Sequence, residues 1–361
     1  MAQPNVTGYG AMTAQLKADS AHCPLLRVTS LGQSAKGHRE LWLVRVADPK
    51  ADAAKVSRLL VLCRQHGDEP ASTEAILGLV HRLARGGDPA LRASLAHISL
   101  YLVPMVNPDG AEAGTRPNGA GADLNRDWGV FQQPETRAMA RAVRLLRPNL
   151  VIDAHNWDGS DEYNADCLEI PRETATALGR AAHGLQQQSV RDLAACGYLM
   201  HPTAWGSDTD PHLAHRWLAR QNIQSALVET HSGDPSDHAD FQRRQGMYVA
   251  LIHSLLRQYV SVTPTPASDT QEATLFPSPL ASVSPHRFRL MHRLSLTWLW
   301  PLGIYGLALW GSRRRSEVGL PALSTVGTPI ASGYYSLKRK RDGTDTKARS
   351  GQRNAVSRPP R

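Results

Sequence analysis

The chain has 361 residues, 41% hydrophobic and 20% charged, a composition that suits a globular protein with a sizeable core and excludes a disordered or fibrous one. Its net charge of +9 sits in the tail: of 41 basic and 32 acidic residues, 12 and 3 fall in residues 311–361, leaving 29 of each sign in residues 1–310. That balance, with no RNP-like, zinc-finger or helix-turn-helix signature, gives no ground for a nucleic-acid partner, and four cysteines without C-x-x-C spacing exclude a disulfide framework.

The N-terminal stretch MAQPNVTGYGAMTAQLKADSAHC has neither the basic start nor the apolar run of a signal peptide. Short apolar runs then alternate with helical patterns, as expected of an α/β domain with a mixed, mainly parallel central sheet flanked by helices. ELWLVRVA (40–47), RLLVLC (58–63), ISLYLVPM (98–105), NLVIDA (149–154) and IQSALVET (223–230) read as strands. PASTEAILGLVHRLARGG opens on Pro70 and closes on Gly86 and Gly87, the punctuation of a helix, and 134–147, 172–195, 211–221 and 242–258 also read as helical. Beyond Tyr259 a Pro, Ser and Thr-rich linker is expected over 259–292. LSLTWLWPLGIYGLALW (294–310) is uncharged and lies between Arg293 and Arg313, Arg314 and Arg315, so a transmembrane helix is expected over 293–312, making the protein a single-pass, membrane-anchored candidate; its 17 residues are at the lower limit for a span and include Pro301, and an amphipathic or docked helix is the alternative. Its sidedness is open, because a cytoplasmic basic tail would put the main domain outside with no export signal ahead of it. Residues 313–361, with KRKR at 338–341, read as a solvated basic tail.

The chemistry-bearing residues stand where apolar strands end. RLLVLC runs into Arg64, Gln65, His66, Gly67, Asp68 and Glu69, and an imidazole and a carboxylate three positions apart are zinc donors that need a third ligand from elsewhere. VNPDGAEAGTRPNGAGADLNRDW (106–128) is a long loop after a strand, presenting Arg116, Asn118, Asn125 and Arg126, whose planar donors suit a carboxylate or a developing oxyanion. NLVIDAHNW ends in a segment carrying His155, and IQSALVETHSG brings Glu229 to the end of another apolar run. In open α/β sheets, ligands bind outside the carboxyl ends of the strands, where these groups are expected to meet.

Taken in order, H-x-x-E, N-P-D-G, R-x-N, D-L-N-R-D-W, D-x-H and a strand-final Glu resemble the zinc metallocarboxypeptidases, the carboxypeptidase A-like group, over residues 8–258. The resemblance implies a catalytic domain binding one zinc ion through His66, Glu69 and His155, with Asp123 behind His66. It further implies Glu229 as general base, Arg116 as oxyanion stabiliser, and Asn125 with Arg126 as the clamp on a substrate's terminal carboxylate. The implied substrate is a peptide or acyl-amino acid with a free carboxylate. The substrate-covering tyrosine usual in that family has no clear counterpart: Tyr163 and Tyr198 are candidates, each read more readily as packing or loop structure. Asp208 and Asp210 either select basic side chains or cap the helix near Pro211, and His201, His212, His215 and His231 are left without a metal. The leading expectation is hydrolysis of a C-terminal peptide bond. Related deacylases and murein peptide amidases are the neighbouring alternative, and a catalytically inactive tethered binding module is the alternative from another class.

Overall fold

A computed structural model describes residues 6–157, 165–172, 176–206, 210–231, 237–260, 272 and 274–276. In chain order the elements are α1 (Tyr9–His22), β1 (Leu26–Gln33), β2 (Glu40–Val46), β3 (Ser57–Cys63), α2 (Ala71–Ala84), α3 (Pro89–Ser94), β4 (Ile98–Val103), α4 (Pro108–Ala113), a 3₁₀ turn (Leu124–Arg126), α5 (Pro134–Leu146), β5 (Leu150–Trp157), β6 (Cys167–Pro171), α6 (Ala177–Ala195), β7 (His201–Trp205), α7 (Ala214–Arg220), β8 (Ser225–His231) and α8 (His238–Tyr259).

The strands form one eight-stranded sheet in the order β1-β2-β4-β3-β5-β8-β6-β7. The central four, β4, β3, β5 and β8, run parallel. Antiparallel β1 and β2 extend one side, and β6, antiparallel to β8 and parallel to β7, extends the other. β3 and β4 are buried at every position because both faces of the sheet are covered, which is why they read as continuous apolar runs. Leu59, Val61 and Cys63 of β3 face a core with α1, α2, α6 and α8, contributed by Met12, Leu16, Ile76, Leu79, Leu185, Leu193, Leu251 and Leu255. Leu60 and Leu62 face the opposite core, where α5 and α7 bring Met139, Val143 and Leu218. Each such aliphatic side chain contributes about 1.5–3 kcal/mol on burial.

The chain leaves β3 toward β4 on one side, and β5 and β8 build on the other, so the order reverses between β3 and β5. The carboxyl ends of β3, β5 and β8 therefore border a crevice, and the register aligns Cys63 with Ala154 and His155 with Glu229.

Six of the described helices and strands escape sequence patterning, among them α3 and α4 with six residues each. β1 and β7 lie at the two edges of the sheet and are largely exposed or half-buried, so neither shows an apolar run. β6 has five residues. α1 buries only Met12, Leu16 and Asp19 along one stripe. The helix expected from residue 172 starts at Ala177, where the Thr176 hydroxyl accepts from Gly179 N at 2.9 Å.

The chain divides into two units, Met1–Phe288 and Arg289–Arg361, of which the second lies outside the described residues. Within the stretch read as linker, Glu272 pairs with Arg45 at 2.5 Å, and Leu275 and Phe276 are buried against the α5 side of the sheet, Phe276 beside Tyr101. The membrane expectations are corrected. Among the described residues no helix is long and apolar enough to cross a membrane, so the α/β domain they form carries no transmembrane helix and they lend no support to single-pass anchoring. The longest described helices, α6 and α8, carry Arg180, Arg191 and Asp192, and Asp240, Arg243, Arg244 and Arg257. The segment 294–310, on which that expectation rested, lies outside the described residues.

Candidate metal centre

The turn after β3 is held by its own backbone. Arg64 takes a left-handed conformation, φ 58°, and its buried Nε donates to Gly67 O at 2.9 Å. Gly67 N donates to Arg116 O at 3.3 Å, and a Cβ on Gly67 would lie 2.0 Å from the carbonyl carbon of Gly110. Only glycine lets this turn press against α4. His66 and Glu69 consequently point inward and are buried, while Asp68 between them faces solvent. Cys63, one turn earlier, is fully buried, and burial pushes its thiol up to about 12, leaving it an apolar packing residue.

His66 Nδ1 lies 2.6 Å from Glu69 Oε1, His155 Nδ1 lies 2.8 Å from Glu69 Oε2, and the two ring nitrogens are 3.1 Å apart. One ligand atom from each residue falls within 4.8 Å of the others. The far nitrogen of each ring meets a carboxylate: His66 Nε2 is 3.0 Å from Asp123 Oδ1, and His155 Nε2 is 2.9 Å from Asp153 Oδ1. Two imidazole nitrogens and a carboxylate aimed at one point, each ring fixed from behind by an acid, fit a single zinc ion with a coordination position to spare. Burial opposes ionisation of Glu69, yet the imidazoles overcome it and hold its carboxyl at about 2. Asp123 is likewise held well below the usual range, burial being outweighed by the hydrogen bond and charge of His66. Burial works against charge on His155, but Asp153 and Glu69 raise it well above the ordinary value.

Arg116 stands beside the triad, with Nη1 3.5 Å from Glu69 Oε1 and Nε 3.2 Å from Asp123 Oδ2. Glu229, in register with His155, keeps a buried Oε2 with no hydrogen-bond partner. Burial pushes its carboxyl up to about 8; His155 and Arg116 pull the other way, and Glu69 and Asp153 add to the rise. Arg126 is half exposed, with Nε 3.5 Å from Asp210 Oδ2.

Two of the sequence-predicted amides are engaged inside the protein. Asn118 is buried and its Oδ1 accepts from Ala120 N and Ala122 N, so it shapes its own loop and faces no substrate. Asn125 is buried with Oδ1 accepting from Ala214 N at 2.8 Å and Nδ2 3.1 Å from His155 Nε2. Asp210 accepts from His212 N, whereas α7 begins at Ala214 without a side-chain cap, so Asp210 does not cap that helix; Asp208 lies outside the described residues. Tyr198 packs against α8, where a Cβ on Gly246 would lie 2.1 Å from its hydroxyl, and Tyr163 lies outside the described residues. Sequence reasoning quoted D-x-H without assigning Asp153. Strand alternation was the available signal, since it puts Asp153 on the same face as His155. Gln65, braced by Trp128 Nε1 at 2.8 Å, was also missed; it reaches both Asp153 and His155 Nε2.

The family described as zinc carboxypeptidase matches residues 12–167, a stretch that holds His66, Glu69, Asp123 and His155. Residues 12–167 thus place this part of the chain in the zinc carboxypeptidase family. It is 27% identical over 156 residues to carboxypeptidase SOL1 of Arabidopsis thaliana, a match covering 38% of this chain and 32% of that protein. A match to murein peptide amidase A of Escherichia coli strain K12, 25% identical, covers 40% of this chain and 62% of that protein. The metallo-carboxypeptidase from Burkholderia cenocepacia shares the fold, with a TM-score of 0.59, 23% identity, and 69% and 68% of the two chains covered. The matched region is thus about a third of the length of SOL1. Within residues 12–167, the His66, Glu69 and His155 set can hold one zinc ion.

Proposed function

We propose that this chain is a zinc-dependent carboxypeptidase that hydrolyses the C-terminal bond of a peptide, with the catalytic role carried by residues 8–258. The observation that carries the reading is the buried, unpartnered Oε2 of Glu229, one strand from the convergent ligand atoms of His66, Glu69 and His155. Zinc held by those three residues would polarise the scissile carbonyl and lower the pKa of a bound water from about 15.7 to about 7. Glu229 takes a proton from the attacking water on its free oxygen and returns it to the departing amine. Arg116 directs guanidinium donors at the developing oxyanion, a contribution whose loss typically lowers rates by about 10²–10³. Arg126 grips the terminal carboxylate; its approach to the Asp210 carboxylate supports that affinity. Asn125, on the same 3₁₀ turn beside Arg126, holds the start of α7 through Oδ1, which accepts from Ala214 N.

The murein amidase match favours a second substrate class, acyl-amino acids or murein peptides with a free carboxylate. Digestion of N-acylated dipeptides, murein tripeptide and N-acylated amino acids, with and without a chelator and read by mass spectrometry, separates the readings. Chelator-sensitive release of single C-terminal residues from the dipeptides is the expected result. Turnover of the other substrates alone assigns the second class, and a purified protein with no zinc and no turnover makes the chain a binding module.

A further inference from the structure

Behind His155 the structure holds a buried row of polar groups that the reaction above leaves without a role. The register sets Asp153 of β5 beside Leu227 of β8, and Leu227 beside Glu169 of β6, so the two acids stand on the same face, two strands apart. At about 4.8 Å per strand spacing their backbones are roughly 9.6 Å from each other, too far for direct contact. His215, from α7 lying over this face, fills the gap: its Nδ1 is 3.3 Å from Asp153 Oδ2 and its Nε2 is 3.3 Å from Glu169 Oε1. Arg216 Nη2 closes the far end, 3.0 Å from Glu169 Oε1. Asp153 and His215 are entirely buried. The Ser225 hydroxyl donates to His215 O at 2.6 Å, and the Trp205 ring stands edge-on at 6.0 Å, so the imidazole has little freedom to turn.

We propose that His215 and Glu169 are positioning residues of the metal centre, holding the Asp153 carboxylate against His155 Nε2 so that His155 Nδ1 faces the ion. The inference rests on His66, Glu69 and His155 being the zinc ligands. Asp153 has two oxygens and serves two rings. With His215 on Oδ2, Oδ1, which also accepts from Gln65 Nε2, stays turned to His155, and this sets the tautomer of the ligand ring and its tilt toward the site. Without His215, Oδ2 is left buried and short of its donor, and the carboxylate gains by rotating toward other groups. Glu169 acts one step further out by fixing the other nitrogen of His215, and Arg216 anchors Glu169.

The test compares the full-length wild type with His215→Phe, which keeps the ring volume without the donors, and with Glu169→Gln. Zinc affinity is read by competition with a chromophoric chelator, and the cobalt(II)-loaded proteins by visible absorption. His215→Phe is expected to weaken zinc binding by about 10–100-fold and to shift the cobalt bands, because the ligand ring has lost its fixed orientation. His215→Gln, with one donor restored, should recover part of the affinity. A folded His215→Phe protein with wild-type affinity and an unchanged cobalt spectrum, altered only in melting temperature, would reduce His215 to a packing residue and overturn the proposal. Should His215→Phe fail to fold, Glu169→Gln decides by the same two readouts, a shifted spectrum supporting and an unchanged one refuting. A wild type that holds neither zinc nor cobalt would instead overturn the ligand assignment itself.

Discussion

Glu229 follows four buried residues, Ser225 to Val228, on a strand whose neighbour supplies a metal ligand, and a carboxylate there is stabilised only by a task or a partner. Glu229→Gln keeps the shape and removes the proton acceptor, so the purified variant should retain about one zinc per chain while turnover falls by about 10²–10⁴. Metal analysis beside steady-state rates checks both halves, and an unchanged rate would remove Glu229 from the reaction. Arg126→Ala should raise KM for substrates with a free carboxylate by about 10–100-fold, the usual worth of a charge-assisted hydrogen bond. An equal loss on C-terminally amidated substrates would show that Arg126 does not hold the terminus. At this scale the sequence shows His66, Glu69, His155 and Glu229 plainly, because polar residues that end apolar strands are conspicuous. Asp153 and His215 are legible only in part: strand alternation puts Asp153 on the face of His155, but His215 sits on a short helix remote in sequence, and only the register of three strands brings it to Asp153. For Asn118 and Asn125 the residue type is legible and its occupancy is not: their side-chain oxygens accept from backbone nitrogens, Asn118 Nδ2 donates to Gln133 and Glu135, and Asn125 Nδ2 lies against His155 Nε2.

The turn between β3 and α2 works because two loops touch backbone to backbone. Gly67 lies against Gly110 of α4, and Asn107 holds the other loop by capping Gly110 N at 2.9 Å and donating to Arg116 O at 3.1 Å. A methyl at position 67 has no flexible side chain to displace, so Gly67→Ala should destabilise the protein by about 1–3 kcal/mol and weaken zinc binding as His66 and Glu69 shift together. Denaturant unfolding of the metal-free protein and a zinc competition titration measure the two effects. Loss of stability with unaltered affinity would mean that the turn adjusts without moving its ligands. The central strands are read correctly from sequence for the reason that makes them rigid, namely burial on both faces. Edge strands β1 and β7 are missed because their stability comes from ladder hydrogen bonds, which leave no hydrophobic pattern.

For the whole molecule, the metal centre is a set of charges buried in the middle of a sheet, so its protonation is linked to folding. In the metal-free protein, Glu229 is raised to about 8 from an ordinary 4.5. The folded state therefore keeps a proton that the unfolded state releases; the stability this contributes is fully present below about 4.5 and is lost as pH rises toward about 8. His155, raised well above 6.5 by Asp153 and Glu69 against burial, acts in the same direction. Glu69, held at about 2, acts in the opposite sense, its contribution being present above about 4.5 and lost as pH falls toward about 2. Chelator-treated wild type should accordingly be less stable at pH 9 than at pH 5. Glu229→Gln, which cannot ionise, should remove roughly 2–5 kcal/mol of that difference. Zinc at about 1,000 times its dissociation constant should add about 4 kcal/mol at either pH, since it binds the folded state alone. Denaturant titrations of both proteins at the two pH values, with chelator and with zinc, test the linkage. Identical pH slopes for wild type and Glu229→Gln without metal would mean that the Glu229 carboxyl reaches solvent in the metal-free protein and is not shielded as its position on β8 implies.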